Sequence, residues 1–279
     1  MASTTSGFAP ILTPAQVGEL VIRPLIQQSV AGQILTTVYT DTHSWRVPVV
    51  TADPTASWTA EGAEISASDA TIDEVVVTPS KLAALSVISR ELADDSTPAA
   101  AQVVGDGIVR DLTRKVDAAL FTATTTNGPG GLPGVSGVTT VDAGSSYASV
   151  DAFSDAIYTA AASNGDITAW VTNPTTAKTL AKVKEATGSN KPLLGPDPTQ
   201  PGRRQILGIP LLTSPSVTTT NNVVWGISKP YSYLVIRDQA QVESDRSVYF
   251  TSDRVAIRAT LRIGFGFAAP ATIVKIATS

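Results

Sequence analysis

Any search for catalysis in this 279-residue chain must begin at its single histidine. A serine nucleophile needs a general base, most often an imidazole, so a Ser-His-Asp arrangement would have to use His43. That residue precedes Ser44 and Trp45 at the start of a strand-like run, a setting that suits packing or surface. No Gly-x-Ser-x-Gly elbow occurs, and the glycine-rich run at 128–137 is broken by Pro129 and Pro133. That run also lacks the following Lys-Ser/Thr that grips a phosphate. With no cysteine in the chain, thiol nucleophiles, zinc–thiolate centres and disulfides are excluded. Asp94 and Asp95 could present carboxylates to calcium, but beside Thr97-Pro98 they suit a helix N-terminus better. Arg203-Arg204 could touch a phosphate, yet an isolated basic pair reads as solvated. The expectation is a chain that is not an enzyme and takes no cofactor and no metal.

Charge is distributed unevenly instead. Between Val47 and Ser80 stand Asp53, Glu61, Glu64, Asp69, Asp73 and Glu74, with no lysine or arginine among them. Near the C-terminus Arg254, Arg258 and Arg262 alternate with Val255, Ile257, Ala259, Leu261 and Ile263. Period-two alternation of this kind puts arginines on one face of a strand and apolar side chains on the other.

Charged residues make up only 16% of the chain, against roughly 25% in an average soluble domain. That shortfall suggests a surface largely covered by partners. Net charge is −4, so no overall basic field advertises nucleic-acid binding. The opening residues lack the basic head and apolar run of a signal peptide. No stretch approaches the ~20 apolar residues of a membrane span. Synthesis in a cytoplasm, away from membranes, is the simple expectation.

The elements that must position these residues can be outlined. Residues 1–12 read as an arm, and Thr13-Pro14 as the cap of a short helix ending near Pro24. An apolar connector follows at 29–39. A strand at 43–50 and a second run at 72–89, interrupted by Pro79, make a long two-stranded excursion. Such a hairpin is marginal alone and must lean on something. Thr97-Pro98 then open the clearest helix, in which Val104, Ile108, Leu112, Val116 and Leu120 recur every four residues. About 25 residues give a rod of roughly 37 Å. Asn127-Gly-Pro-Gly-Gly ends it. A helix capped near Ser149 or Asp151, a strand at 167–172 and a helix from Asn173-Pro174 to Gly188 follow. The proline-rich segment at 190–204 reads as an exposed loop. Strands are expected at 206–212, 223–227, 233–236, 248–250, 254–263 and 272–276.

This order of elements resembles the major capsid proteins of the Hong Kong 97 type, the phage capsid family of tailed phages. The residues carrying the resemblance are Ser57-Trp58 with Glu61-Gly62 and Thr78-Pro-Ser-Lys-Leu-Ala. To these add Val87-Ile-Ser-Arg-Glu-Leu, Trp170-Val-Thr-Asn-Pro, Leu207-Gly-Ile-Pro, and Asp253-Arg-Val-Ala-Ile-Arg with the later Pro270. It implies an α+β Hong Kong 97-type capsid fold. Residues 1–40 would be the N-terminal arm and 41–92 the extended β-hairpin loop. Residues 93–125 and 230–268 would form the peripheral domain with its spine helix, and 126–229 and 269–279 the axial α/β domain. The implied function is a virion shell protein that assembles with itself, as hexamers and pentamers, into an icosahedral shell around double-stranded DNA. A scaffolding protein, a portal and decoration proteins would be further partners. The shell of an encapsulin nanocompartment, which shares this fold, is the alternative.

The resemblance departs in two places. The family's Lys–Asn cross-link is not expected, because no lysine lies between Val47 and Ser80 and no asparagine follows Asn222. The chain also begins almost at the arm, which implies a separate scaffold or prior trimming. In such shells the extended loop lies across a neighbouring subunit. The acids of 47–80, with Trp58 at the tip, are therefore expected to dock on Arg110, Arg114, Arg254, Arg258 and Arg262 of the adjacent copy. The guanidinium fork suits a carboxylate. The plainer alternative has the acids solvated and the arginines paired within their own subunit. Exposed pairs contribute only ~0–1 kcal/mol each, so setting register is the expected role.

Overall fold

The computed structural model describes residues 28–60, 62, 64, 67–89, 99–186, 188–194, 204–245 and 247–279. The expected arm helix at Thr13-Pro14, Glu61, Asp94-Asp95, the Thr97-Pro98 cap, Arg203 and most of the proline-rich loop lie outside the described residues.

The expected apolar connector is a short helix and a strand. Helix α1 (Val30–Ile34) starts where Ser29 Oγ accepts a hydrogen bond from the Gly32 amide. It leads into β1 (Thr36–Thr40), and β2 (Trp45–Ala52) and β3 (Thr71–Val77) form an antiparallel pair. Here the structure corrects the reading of 72–89 as one interrupted strand. Buried Pro79 has no amide to donate, and beyond it β4 (Ser80–Ser89) joins a different sheet. Helix α2 (Ala99–Leu120) follows, with Leu112, Val116 and Leu120 buried as the four-residue period requires.

The second half begins with β5 (Thr139–Asp142), a strand whose Thr-rich sequence gave no apolar signal. Helix α3 (Asp151–Ala162), β6 (Ala169–Thr172) and α4 (Pro174–Lys182) come next. Asn173 caps α4 as expected, accepting from the Thr175 amide. The helix stops at Lys182, short of Gly188, because Lys184 turns to bridge Pro192. Instead of one strand at 206–212 there is a hairpin of β7 (Arg204–Ile206) and β8 (Ile209–Thr213). Its two turn residues, Leu207 and Gly208, both have positive φ, the backbone such a tight turn demands. Strands β9 (Val224–Ile227), β10 (Ser232–Asp245), β11 (Arg254–Phe267) and β12 (Val274–Ala277) complete the chain. The strand expected at 248–250 is absent. Those residues form the turn between β10 and β11, where Asp253 takes up a left-handed conformation.

Two larger sheets result beside the β2–β3 pair, giving the expected α+β fold. A four-stranded sheet runs β1-β10-β11-β4 and a six-stranded one β5-β12-β9-β6-β8-β7. Helix α2 packs Leu112, Val116 and Leu120 into a core with Leu234, Ile236, Leu261 and Ile263 of the first sheet. The second sheet carries α3 and α4 over Phe153, Trp170, Leu180 and Ile276. Phe153 and Trp170 meet edge to face with ring centroids 5.1 Å apart, a favoured aromatic geometry.

Candidate inter-subunit interface

The β2–β3 hairpin forms its own two-stranded sheet and is held to the body at its base. Val77 lies against Gly264 and Gly266 of β11, where an added Cβ would come within 2.6 and 2.7 Å of its methyl groups. Trp45 meets Tyr233 of β10 with ring centroids 5.0 Å apart. Glycine is needed here because the hairpin's root occupies the space where side chains would stand.

Farther out the hairpin is open. On one face Arg46 and Val76, Pro48 and Glu74, and Val50 and Ile72 are register partners. Val50, Ile72 and Val76 are all exposed, more apolar surface than a two-stranded ribbon carries comfortably in water. Trp58 is fully exposed. Glu64, Asp69, Asp73 and Glu74 are exposed too, and Glu61 lies outside the described residues. Glu74 accepts a 2.9 Å hydrogen bond from Arg46 across the strand pair. This corrects the view of the acids as uncompensated. Arg46 stands one residue before the lysine- and arginine-free stretch and neutralises the last of its six acids.

The candidate arginines do not converge. On α2, Arg110 and Arg114 are exposed while Val109, Leu112 and Val116 are buried against the four-stranded sheet. In β11, Ala259, Leu261 and Ile263 face that helix core. By strand alternation Arg254, Arg258 and Arg262 project from the opposite face, which is the face that receives the hairpin root. The two sets therefore lie on opposite sides of the four-stranded sheet. Arg254 and Arg258 are exposed and Arg262 is half-buried. Arg258 lies beside Asp245 of its own chain, whose carboxyl is held below its ordinary value by Ser247 donors and, more weakly, by that guanidinium.

Strand register adds two residues to this face that sequence reading missed. Arg262 is paired with Arg237 of β10 on one side and with Lys81 of β4 on the other. Beside them on β4, Leu85 and Val87 are exposed and belong to the same face. Because 81, 237 and 262 are far apart in the chain, only pairing could have revealed the row.

A third feature ties the start of the described chain to α2. The buried Asp117 carboxylate accepts hydrogen bonds from Ser29 Oγ (2.6 Å), the Ala31 amide (3.0 Å) and the Val30 amide (3.2 Å). Burial pushes this carboxyl above its ordinary value, against the lowering effect of the three donors.

His43 is exposed, and among the described residues no cluster of His, Asp and Glu could hold a metal ion. Among the described residues no helix is long and apolar enough to cross a membrane.

Comparison with known proteins agrees with the fold. The model of the phage capsid family matches residues 10–278. A solved capsid of a native GTA particle, computed with C5 symmetry, superposes with a TM-score of 0.73 at 20% identity, covering 100% of this chain and 95% of that one. A chain from Microbacterium phage Oxtober96 gives 0.72 at 16% identity, with 100% and 96% covered. One from Gordonia phage Cozz gives 0.70 at 17%, with 90% and 86% covered. No curated protein matches the sequence.

Proposed function

This chain belongs to the phage capsid family and is a major capsid protein, a structural subunit that associates with itself in the virion shell, and from that premise we propose how it builds the icosahedral wall. Subunits gather as hexamers and pentamers around packaged double-stranded DNA. A scaffolding protein guides them in the host cytoplasm, a portal occupies one vertex, and decoration proteins bind outside. Within each ring the hairpin of one subunit lies across the four-stranded sheet of the next.

The observation that carries this reading is the exposed apolar face of the hairpin. Among the described residues, Val50, Ile72 and Val76 are left 54%, 66% and 47% exposed, and a neighbouring copy supplies the missing cover. Assembly of the purified protein tests the reading, by size-exclusion chromatography followed by negative-stain microscopy. Closed polyhedral particles or six-membered rings are expected. A monomer at every salt concentration would overturn it.

A further inference from the structure

Charge in the second half of the chain is divided between the two ends of the six-stranded sheet. No lysine or arginine occurs from Gly134 to Ala177, where Asp142, Asp151, Asp155 and Asp166 stand. From Lys178 to Arg204 six basic residues outnumber Glu185 and Asp197. The fold carries the two stretches apart. Helix α3 lies over β5 and β12 at one end of the sheet. Helix α4 lies by β8 and β7 at the other, its Ala177 and Ala181 sharing a groove with Leu211 and Arg204. Both helices pack into one core, through Phe153 and Leu180. Six strands at about 4.8 Å spacing separate the two ends by roughly 24 Å. On α3, Asp151, Asp155 and Tyr158 recur at helical spacing and are exposed, Tyr158 to 72%. On α4, Lys178 and Lys182 are exposed one turn apart. Among the described residues none of these four charges has an ion-pair partner. Like charges four apart weaken a helix. The helix ends account for Asp151 in the first turn of α3 and Lys182 in the last turn of α4, but not for Asp155 and Lys178.

We infer that the two ends are complementary halves of one contact, the α4 end of each copy seating on the α3 end of the next. The inference rests on the proposed hexamers and pentamers and names the groups that set subunit direction within them. A two-fold contact would bring like ends together, acid on acid or base on base, which is unfavourable. A head-to-tail contact places base on acid, uses both ends of every copy and can close into a ring. On each helix the two charges stand about 6 Å apart along the axis. With the helices side by side in either direction, two lysines therefore meet two aspartates. Tyr158 adds an aromatic face beside the acids, which a lysine stem and its ammonium can cover. Exposed pairs are individually weak, so the charges choose direction and steer encounter more than they hold the ring together. The free subunit keeps its like charges unpaired, and the ring pairs them.

The test uses charge-reversed versions of the full chain. One carries Asp151→Lys with Asp155→Lys and has two basic ends. The other carries Lys178→Glu with Lys182→Glu and has two acidic ends. Each alone should raise the critical concentration for assembly about tenfold or more. Mixed together they should alternate around six-membered rings, while five-membered rings, which cannot alternate, should be missing by electron microscopy. A chain with all four substitutions has its polarity turned round and should assemble alone as wild type does. Asp155→Asn and Lys178→Gln, made separately, keep the test informative if reversal prevents folding. Each should melt no lower than wild type and assemble about two- to fivefold less readily. Normal assembly of either reversed chain, or folded reversed chains that do not assemble together, would overturn the inference. Where the reversed chains do not fold, normal assembly of both neutral variants would overturn it. A defect confined to the lysine-substituted chains would overturn it in favour of an anion from outside the chain, such as nucleic-acid phosphate. Wild type separates the two levels. If it forms no rings or particles, the capsomer reading itself fails, and if the reversed chains assemble as it does, only the polarity fails.

Discussion

Asp117 accepts a 2.6 Å hydrogen bond from Ser29, 88 residues earlier in the chain, and so fastens the first described helix to the last turn of α2. The same carboxylate takes the Val30 and Ala31 amides. Replacing it with alanine leaves a buried hydroxyl and two amides without their acceptor, a loss of about 1–3 kcal/mol. Thermal melts of Asp117→Ala should show that deficit with α2 itself retained.

The same residue carries a pH dependence. Its folded-state pKa lies above the unfolded value, since burial outweighs the three donors. The folded chain therefore binds this proton more tightly. The associated stability is fully present below the unfolded pKa and is lost as pH rises through the folded one. The melting-temperature advantage of wild type over Asp117→Asn should shrink as pH climbs through that window. An advantage that grows with pH would contradict the assignment.

At the hairpin root the controlling contact is steric. A methyl at Gly264 would lie 2.6 Å from Val77 Cγ1, with Pro79 backbone behind it. Gly264→Ala should cost about 1–3 kcal/mol by overpacking. Adding Val77→Ala should recover part of the loss. Failure of the double variant to recover would mean that the strain goes elsewhere.

Trp58 separates folding from assembly. Its side chain is fully exposed among the described residues, so Trp58→Ala should change subunit stability by less than about 0.5 kcal/mol. Shell yield should nonetheless fall if the tip meets a neighbour. Phe153→Ala should do the opposite, removing about 3–5 kcal/mol from the second core through loss of the Trp170 contact.

Much of this architecture could be read from local sequence, where one segment carries its own signal. The four-residue recurrence through Leu112, Val116 and Leu120 defined α2, and Asn173-Pro174 marked the start of α4. Alternation of arginine with apolar residues marked β11. What escaped depends on partners distant in the chain. The Thr139–Asp142 strand exists because β12 lies beside it. Pro79 separates two sheets that composition alone had joined. The two groups of arginines were alike in sequence, and only the placement of α2 on one side of the sheet assigns them to opposite faces. Lys81 and Arg237 carried no distinguishing pattern until register set them either side of Arg262.

The central claim, a hairpin resting on a neighbour's sheet, is open to direct chemical capture because the chain has no cysteine of its own. One copy would carry Ile72→Cys with an affinity tag, the other Leu85→Cys with a different tag. After co-assembly and treatment with a short bis-maleimide, a cross-linked species bearing both tags is the expected product. Assembled particles that yield only uncross-linked chains, while thiol labelling proves both cysteines reactive, would contradict the account.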